Sequence, residues 1–197
     1  VISAVVLAAG RASRMGRTKQ LLPVGDRPMI QHAVDAAEAA GVDEIVLVLG
    51  HDADRIRDAL ILPKRARTVV NPDFAAGQAG SLRVGLAALA ADSEAAVILL
   101  GDQPGIAPDA VRAVVASYRR NPARIVRAVY AGGPGHPVLL SRDTWTEVAA
   151  LEGDVGARDV IEVHPDWVVD VEVPGPSPPD VDTPEDYERL TGGDVSG

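Results

Sequence analysis

Three loops carry residues able to handle a phosphate and a metal ion. The first, Leu7–Pro23, is LAAGRASRMGRTKQLLP. Ala8, Ala9 and Gly10 are small enough for a ligand to approach the backbone closely, and Arg14 and Lys19 are cations suited to a polyphosphate. The spacing excludes two familiar phosphate loops. Gly10 and Gly16 are six apart with Lys19 three beyond, which is not GxxxxGK[ST], and no GxGxxG is present. A long Gly/Arg surface loop is the other reading of these residues.

The second loop, Asn71–Leu86, is NPDFAAGQAGSLRVGL. Gly77 and Gly80 keep it slim, and Ser81 is placed to cap a helix or to bond a ligand edge. The third, Leu99–Gly105, puts Asp102 directly after an apolar run. A carboxylate there can ligate a divalent ion or close a turn. Further on, His136 stands between Gly135 and Pro137, and Asp180 and Asp182 alternate along an extended stretch, so that they face the same way. Asp182-Thr183 before Pro184 is also a good helix N-cap. His32, His51, His136 and His164 show no zinc-ligand spacing.

Something must hold these loops, and the chain alternates buried-strand and helix patterns. Ile2–Leu7, Glu44–Leu49, Arg67–Val70, Ala95–Leu100 and Ile125–Tyr130 are short apolar runs of the kind buried on both faces of a sheet. Helical patterns cover Pro28–Ala40, Asp52–Leu60, Gly80–Ala91 and Pro108–Arg119. This alternation predicts an α/β fold with a mostly parallel sheet, whose ligands bind at the carboxyl ends of the strands. Residues 131–137 (AGGPGHP) break the alternation and suggest a loop. A short strand at Val138–Leu140, a helix from Asp143 to Ala150, a loop at Glu152–Gly156, a strand at Trp167–Val173 and a helix from Pro184 follow. Residues 1–191 are expected to form one domain and 192–197 a frayed tail.

Composition narrows the function. The 197 residues contain no cysteine, which excludes thiolate metal sites and a cysteine nucleophile. A net charge of −9 argues against nucleic acid as partner. Within this acidic chain, residues 11–27 hold Arg11, Arg14, Arg17, Lys19 and Arg27 against Asp26, whereas residues 143–197 hold 15 acids against Arg158 and Arg189. A basic island of this kind suits a small anion, or is simply a solvated loop. No apolar run is long enough to span a membrane, and the start lacks a signal-peptide layout, so a cytoplasmic location is expected.

Taken in order, LAAG…RMG..K.LLP, NP…G…SL..GL, GDQP, GHP, GD.GAR and D.DTPEDY resemble the molybdenum cofactor cytidylyltransferases, the MocA/MobA-like nucleotidyltransferases, from about Val5 to Tyr187. The resemblance implies a Rossmann-like three-layer sandwich with a mostly parallel sheet. It also implies transfer of CMP from CTP to the phosphate of molybdenum-molybdopterin, with Mg²⁺ or Mn²⁺, for a client molybdenum hydroxylase. It assigns Leu7, Ala8, Ala9 and Gly10 to the nucleotide, Arg14 and Lys19 to the triphosphate, and Gly77, Gly80 and Ser81 to the base side. Asp102 and Asp182 become metal ligands, with Asp180 in reserve, while His136 and Pro137 face the acceptor. LAAG is similar to the cytidylyl branch rather than the guanylyl LAGG. Ala12 departs from the family's usual Ser, with Ser13 beside it. Other readings are a GTP-dependent or a sugar- or alcohol-phosphate transferase, an NAD(P)H oxidoreductase of the nicotine blue type, and a non-catalytic cofactor carrier.

Overall fold

A computed structural model describes residues 1–10 and 18–192. In chain order the elements are β1 (Ile2–Ala8), a small hairpin of β2 (Pro23–Val24) and β3 (Arg27–Pro28), α1 (Met29–Ala40), β4 (Glu44–Leu49) and α2 (Ala53–Ala59). Then come β5 (Ala66–Val70), α3 (Gln78–Ala87), β6 (Ala95–Leu100), α4 (Pro108–Arg120), β7 (Ile125–Tyr130) and β8 (Gly133–Ser141). The chain closes with α5 (Trp145–Ala149), α6 (Ala157–Val163), β9 (Val168–Glu172) and α7 (Pro184–Thr191).

One seven-stranded sheet runs in the order β5-β4-β1-β6-β8-β7-β9. β1 lies parallel to β4 and β6, β4 to β5, and β7 to β9. β8 is antiparallel to both its neighbours. The alternation of side chains along each strand divides the core in two. Ala4, Val6 and Ala8 face a layer that includes Ile30 and Val34 of α1 and Val111 and Val114 of α4. Val5 and Leu7 face Leu82 and Leu86 of α3, Val148 of α5 and Val160 of α6. Because both faces are covered, the central strands β1, β4 and β6 are apolar apart from Ser3 and Glu44 near their starts, which hydrogen-bond to each other.

The chain leaves β1 for β4 on one side and later returns to β6 on the other. The carboxyl ends of β1 and β6 therefore flank the point where strand order reverses, which is where such sheets open a crevice. The Gly101 N–H donates to the Leu7 carbonyl at 2.9 Å and ties the two strand ends together.

Two sequence expectations need correction. Residues 133–137 are not loop: they extend the expected Val138–Leu140 strand into β8, and His136 lies on it. The cause is a two-residue connection, Ala131-Gly132, which pairs Tyr130 with Gly133 and makes a hairpin. Gly133 has φ 118°, a conformation that disfavours any side chain. The helix expected at Gly80–Ala91 is α3, from Gln78 to Ala87, so Ser81 lies inside its first turn rather than capping it. One helix, α6, had no counterpart in the sequence expectations. It starts after Gly156, whose N–H is accepted by the Asp159 carboxylate at 2.7 Å.

Helix α3 sits close on the sheet because residue 85 is glycine. A Cβ there would lie 2.5 Å from Val5 Cγ1 and 2.9 Å from Val48 Cγ2. Gly85→Val should therefore destabilise the fold by about 1–3 kcal/mol, even though glycine is itself a poor helix former. Urea unfolding measures this, and an unchanged midpoint would refute the close packing.

Candidate active site

The first loop leaves β1 at Ala9 and Gly10 and re-enters the described residues at Thr18, whose hydroxyl donates to the Asp52 carboxylate. A single 3₁₀ turn, Lys19–Leu21, follows. Gln20 is buried at its centre, and its amide nitrogen donates to the Ala8 carbonyl at 2.9 Å and the Gly10 carbonyl at 3.4 Å. Gln20 thus joins the end of β1 to the turn that carries Lys19.

Lys19 reaches across the sheet end. Its Nζ donates to Asp102 Oδ2 at 2.9 Å and to Asp182 Oδ1 at 2.9 Å. Burial works against its charge, but the Asp102 charge and the hydrogen bonds to both carboxylates outweigh it. The pKa is raised above the ordinary lysine value. Asp102 follows β6, and Asp182 comes from the segment leading into α7. That segment is pinned by the Val181 N–H, which donates to the Asp102 carbonyl at 3.0 Å. It is pinned again by Gln103 Nε2, which donates to Asp180 Oδ1 at 2.7 Å. Thr183, not Asp182, caps α7, with its Oγ1 accepting from the Asp186 N–H at 3.2 Å.

A cavity of about 600 Å³ opens at this sheet end. Leu7, Ala9, Gly10, Gly77, Ser81, Asp102 and Asp182 line it, with Asp180. Ala8, Gly80 and Lys19 do not, although Lys19 touches two of the lining carboxylates. Ala8 turns its side chain into the core under α1, and Gly80 lies beside the Asn71 amide. Arg14 falls outside the described residues. Ser81 is buried, and its hydroxyl accepts from Asn71 Nδ2 at 3.0 Å. Gly77 has φ 117°, and a Cβ there would lie 2.2 Å from the Gly153 carbonyl oxygen. This close approach brings Asp154 to the cavity wall.

Sequence reasoning missed Phe74, Gln78, Leu100 and Asp154 on the wall, and Gln20, Asn71 and Gln103 behind it. Asn71 carried a signal, since Asn-Pro-Asp favours a side-chain turn, and its Oδ1 accepts from the Asp73 N–H at 3.0 Å.

A second cavity, of about 680 Å³, adjoins the first, and Asp180 lines both. His136 lines it, together with Gln103, Arg127, Arg158 and Pro178; Pro137 does not. Burial pushes the His136 pKa down to about 4, against a weaker opposing pull from Asp102. Burial, then the Asp102 charge, raises that of Asp180. The Tyr130 hydroxyl donates to the His136 carbonyl at 2.7 Å.

Asp102, Asp154, Asp180 and Asp182 all line this cavity, and their carboxylates are hard oxygen donors of the kind Mg²⁺ and Mn²⁺ prefer. Two of them already share one cation, Lys19. Among the described residues, no group of three or more His, Asp or Glu converges tightly enough to hold a metal alone. The site therefore fits an ion that draws its remaining ligands from substrate phosphates and water.

A mostly parallel α/β sheet with a crevice of this kind at its switch point is the architecture of the nucleotidyltransferase fold. The chain belongs to the MobA-like NTP transferase domain family, whose family model matches residues 4–168. It is 34% identical to the nicotine blue oxidoreductase of Paenarthrobacter nicotinovorans, over 96% of each chain. It is 26% identical to the molybdenum cofactor cytidylyltransferase of Escherichia coli K12, over 96% of this chain and 97% of that one. The crystal structure of Rv0371c from Mycobacterium tuberculosis H37Rv superposes with a TM-score of 0.87 at 38% identity, over 97% of each chain. A structure of that protein in complex with manganese matches with a TM-score of 0.85. No helix among the described residues is long and apolar enough to cross a membrane.

The depressed His136 pKa fixes a pH dependence. The folded protein favours neutral His136, so this stabilisation is fully present above the unfolded value near 6.5 and is lost as pH falls towards 4. Between those values wild type should lose about 2–3 kcal/mol relative to His136→Gln. Urea titrations of both proteins at pH 7 and pH 4.5 measure this, and parallel losses would show that His136 is not held neutral.

Proposed function

We propose that this protein transfers CMP from CTP to the terminal phosphate of molybdenum-molybdopterin, giving molybdopterin cytosine dinucleotide and pyrophosphate for a client molybdenum hydroxylase. The observation that carries the reading is the pair of cavities sharing Asp180: two substrates can meet at one rim, beside Lys19, Asp102 and Asp182. The family membership supports nucleotidyl transfer, and the cytidylyltransferase relative and the LAAG sequence support the finer assignment.

Under this reading the nucleotide lies in the first cavity, against the Leu7–Gly10 backbone, with its base towards Gly77 and Ser81. An oxygen of the acceptor phosphate attacks the α-phosphorus, forming a new P–O bond as the bond to the β-phosphate oxygen breaks and pyrophosphate leaves. The chain supplies no nucleophile; its work is positioning and charge compensation. Lys19 and Arg14 offset charge on the leaving group. Asp102 and Asp182 would hold Mg²⁺ or Mn²⁺, which neutralises phosphate charge when bound. Neutral His136, in the second cavity, orients the acceptor without adding a charge of its own.

Cation clamps on phosphate contribute about 3 kcal/mol or more to such reactions, so Lys19→Ala and Asp102→Ala should each lower turnover by about 100-fold or more while staying folded. Pyrophosphate release with molybdenum-molybdopterin and CTP measures it, and near-wild-type rates in either variant would refute the site. The same assay with GTP, and with sugar or alcohol phosphates as acceptors, tests the substrate assignment.

A second reading rests on the 34% identity to nicotine blue oxidoreductase. It predicts NAD(P)H oxidation in the presence of a dye-like acceptor. That activity, with no pyrophosphate release from any nucleoside triphosphate, would replace the transferase reading.

A further inference from the structure

Lys19 has a placement that a simple phosphate clamp does not need. Its ammonium is paired with two protein carboxylates, Asp102 and Asp182, and touches both at 2.9 Å. Its side chain is 13% exposed, while those of Asp102 and Asp182 are 27% and 53% exposed. Its backbone is held by Gln20 through the Ala8 and Gly10 carbonyls. Only the four-carbon stem is free to swing, and lysine's stem carries a compact, mobile point charge.

We propose that Lys19 is a latch. In the nucleotide-free protein its ammonium stands in for the divalent cation between Asp102 and Asp182. The metal then gains those carboxylates only when nucleotide phosphates draw Lys19 away. The proposal rests on the reading of Asp102 and Asp182 as metal ligands.

Charge makes the exchange workable. Asp102, Asp180 and Asp182 together carry three negative charges at one rim, and Lys19 cancels one of them. Removing the ammonium without replacement leaves three carboxylates repelling one another. A polyanionic triphosphate offers Lys19 an alternative partner, and a divalent cation then offers the carboxylates one. Each ligand prepares the site for the other, and linkage makes the coupling reciprocal. With neither bound, the paired lysine keeps the rim from collecting metal.

The test is Mn²⁺ alone, without nucleotide, titrated against each protein with the unbound ion read by electron paramagnetic resonance. Lys19→Met and Lys19→Gln should bind Mn²⁺ at least ~10-fold more tightly than wild type, a span typical of coupled sites. The Gln variant keeps a hydrogen-bond donor, so a folding defect in Lys19→Met does not decide the matter. Arg189→Met removes an exposed cation of α7 that lines neither cavity and controls for the general field; it should change the affinity by less than about twofold at ordinary salt. Equal or weaker Mn²⁺ binding in both Lys19 variants, or an equal gain in Arg189→Met, would overturn the latch. Adding Asp102→Asn to Lys19→Gln should abolish the gain. If the gain persists there, the ion lies elsewhere, and the reading of Asp102 as a ligand falls along with the latch.

Discussion

The contact on which the site depends is one ammonium held by two carboxylates from distant parts of the chain. Lys19 comes just after the first strand, Asp102 from the middle of the sequence, and Asp182 from near its end. The sheet brings the first two together for reasons unrelated to charge: β1 and β6 are neighbours because both are buried on two faces. The third member arrives differently. The stretch containing Asp180 and Asp182 crosses the strand ends, pinned by the Val181 N–H and by Gln103. Val181 also packs in a small cluster with Leu22, Met29 and Tyr187, while the Tyr187 hydroxyl donates to the Pro23 carbonyl. Apolar contacts thus close the C-terminal segment over the sheet, and in doing so press carboxylates together at one rim. Without a cation that closure would work against itself.

In the proposed reading the two cavities divide the labour that this rim permits. The one at the carboxyl ends of β1 and β6 joins small residues, Ala9, Gly10, Gly77 and Ser81, to carboxylates from other parts of the chain. The adjoining cavity depends on the antiparallel strand β8. The hairpin at Ala131-Gly132 is what turns β8 back into the sheet and carries His136 to the wall. Arg127 enters the same cavity from β7 while paired with Asp170 of β9, so its position is set by the sheet edge. Burial favours the uncharged form of His136 on this wall, so its ring adds no further positive charge beside Arg127.

How much of this the sequence disclosed depended on whether the signal was local. The buried strands and the helices with proline at their start or glycine past their end were legible, because period, proline and glycine act within a few residues. The strand at 133–137 was not, since three glycines and two prolines between 132 and 137 look like a loop until a hairpin partner is supplied. Helix α6 escaped because its start rests on a glycine whose cap comes from Asp159 further along. In the site, the motif residues Ala9, Gly10, Gly77, Ser81, Asp102 and Asp182 do converge on one cavity. Ala8 and Gly80, quoted with them, do not, because strand alternation turns Ala8 to the other face and the helix turns Gly80 towards Asn71. Motif spacing is blind to that parity. The supporting amides Gln20, Asn71 and Gln103 were missed for another reason: they touch carbonyls and side chains that are far away in sequence or offer no pattern.

Why lysine, and not arginine, should stand at position 19 follows from the same geometry. Two carboxylates on opposite sides of one donor could be bridged by either residue. An arginine would bind a carboxylate through a planar fork with two parallel hydrogen bonds, a stronger and more rigid contact. That would suit a permanent tie between the N-terminal turn and the C-terminal segment. Here the tie is not the main support of the closure, because backbone hydrogen bonds, Gln103 and the cluster around Val181 already hold the segment. What remains for residue 19 is to neutralise charge at a rim where, under the proposed function, a polyanion would bind. A point charge on a flexible stem, fixed at its base by Gln20, can do that and still change partners.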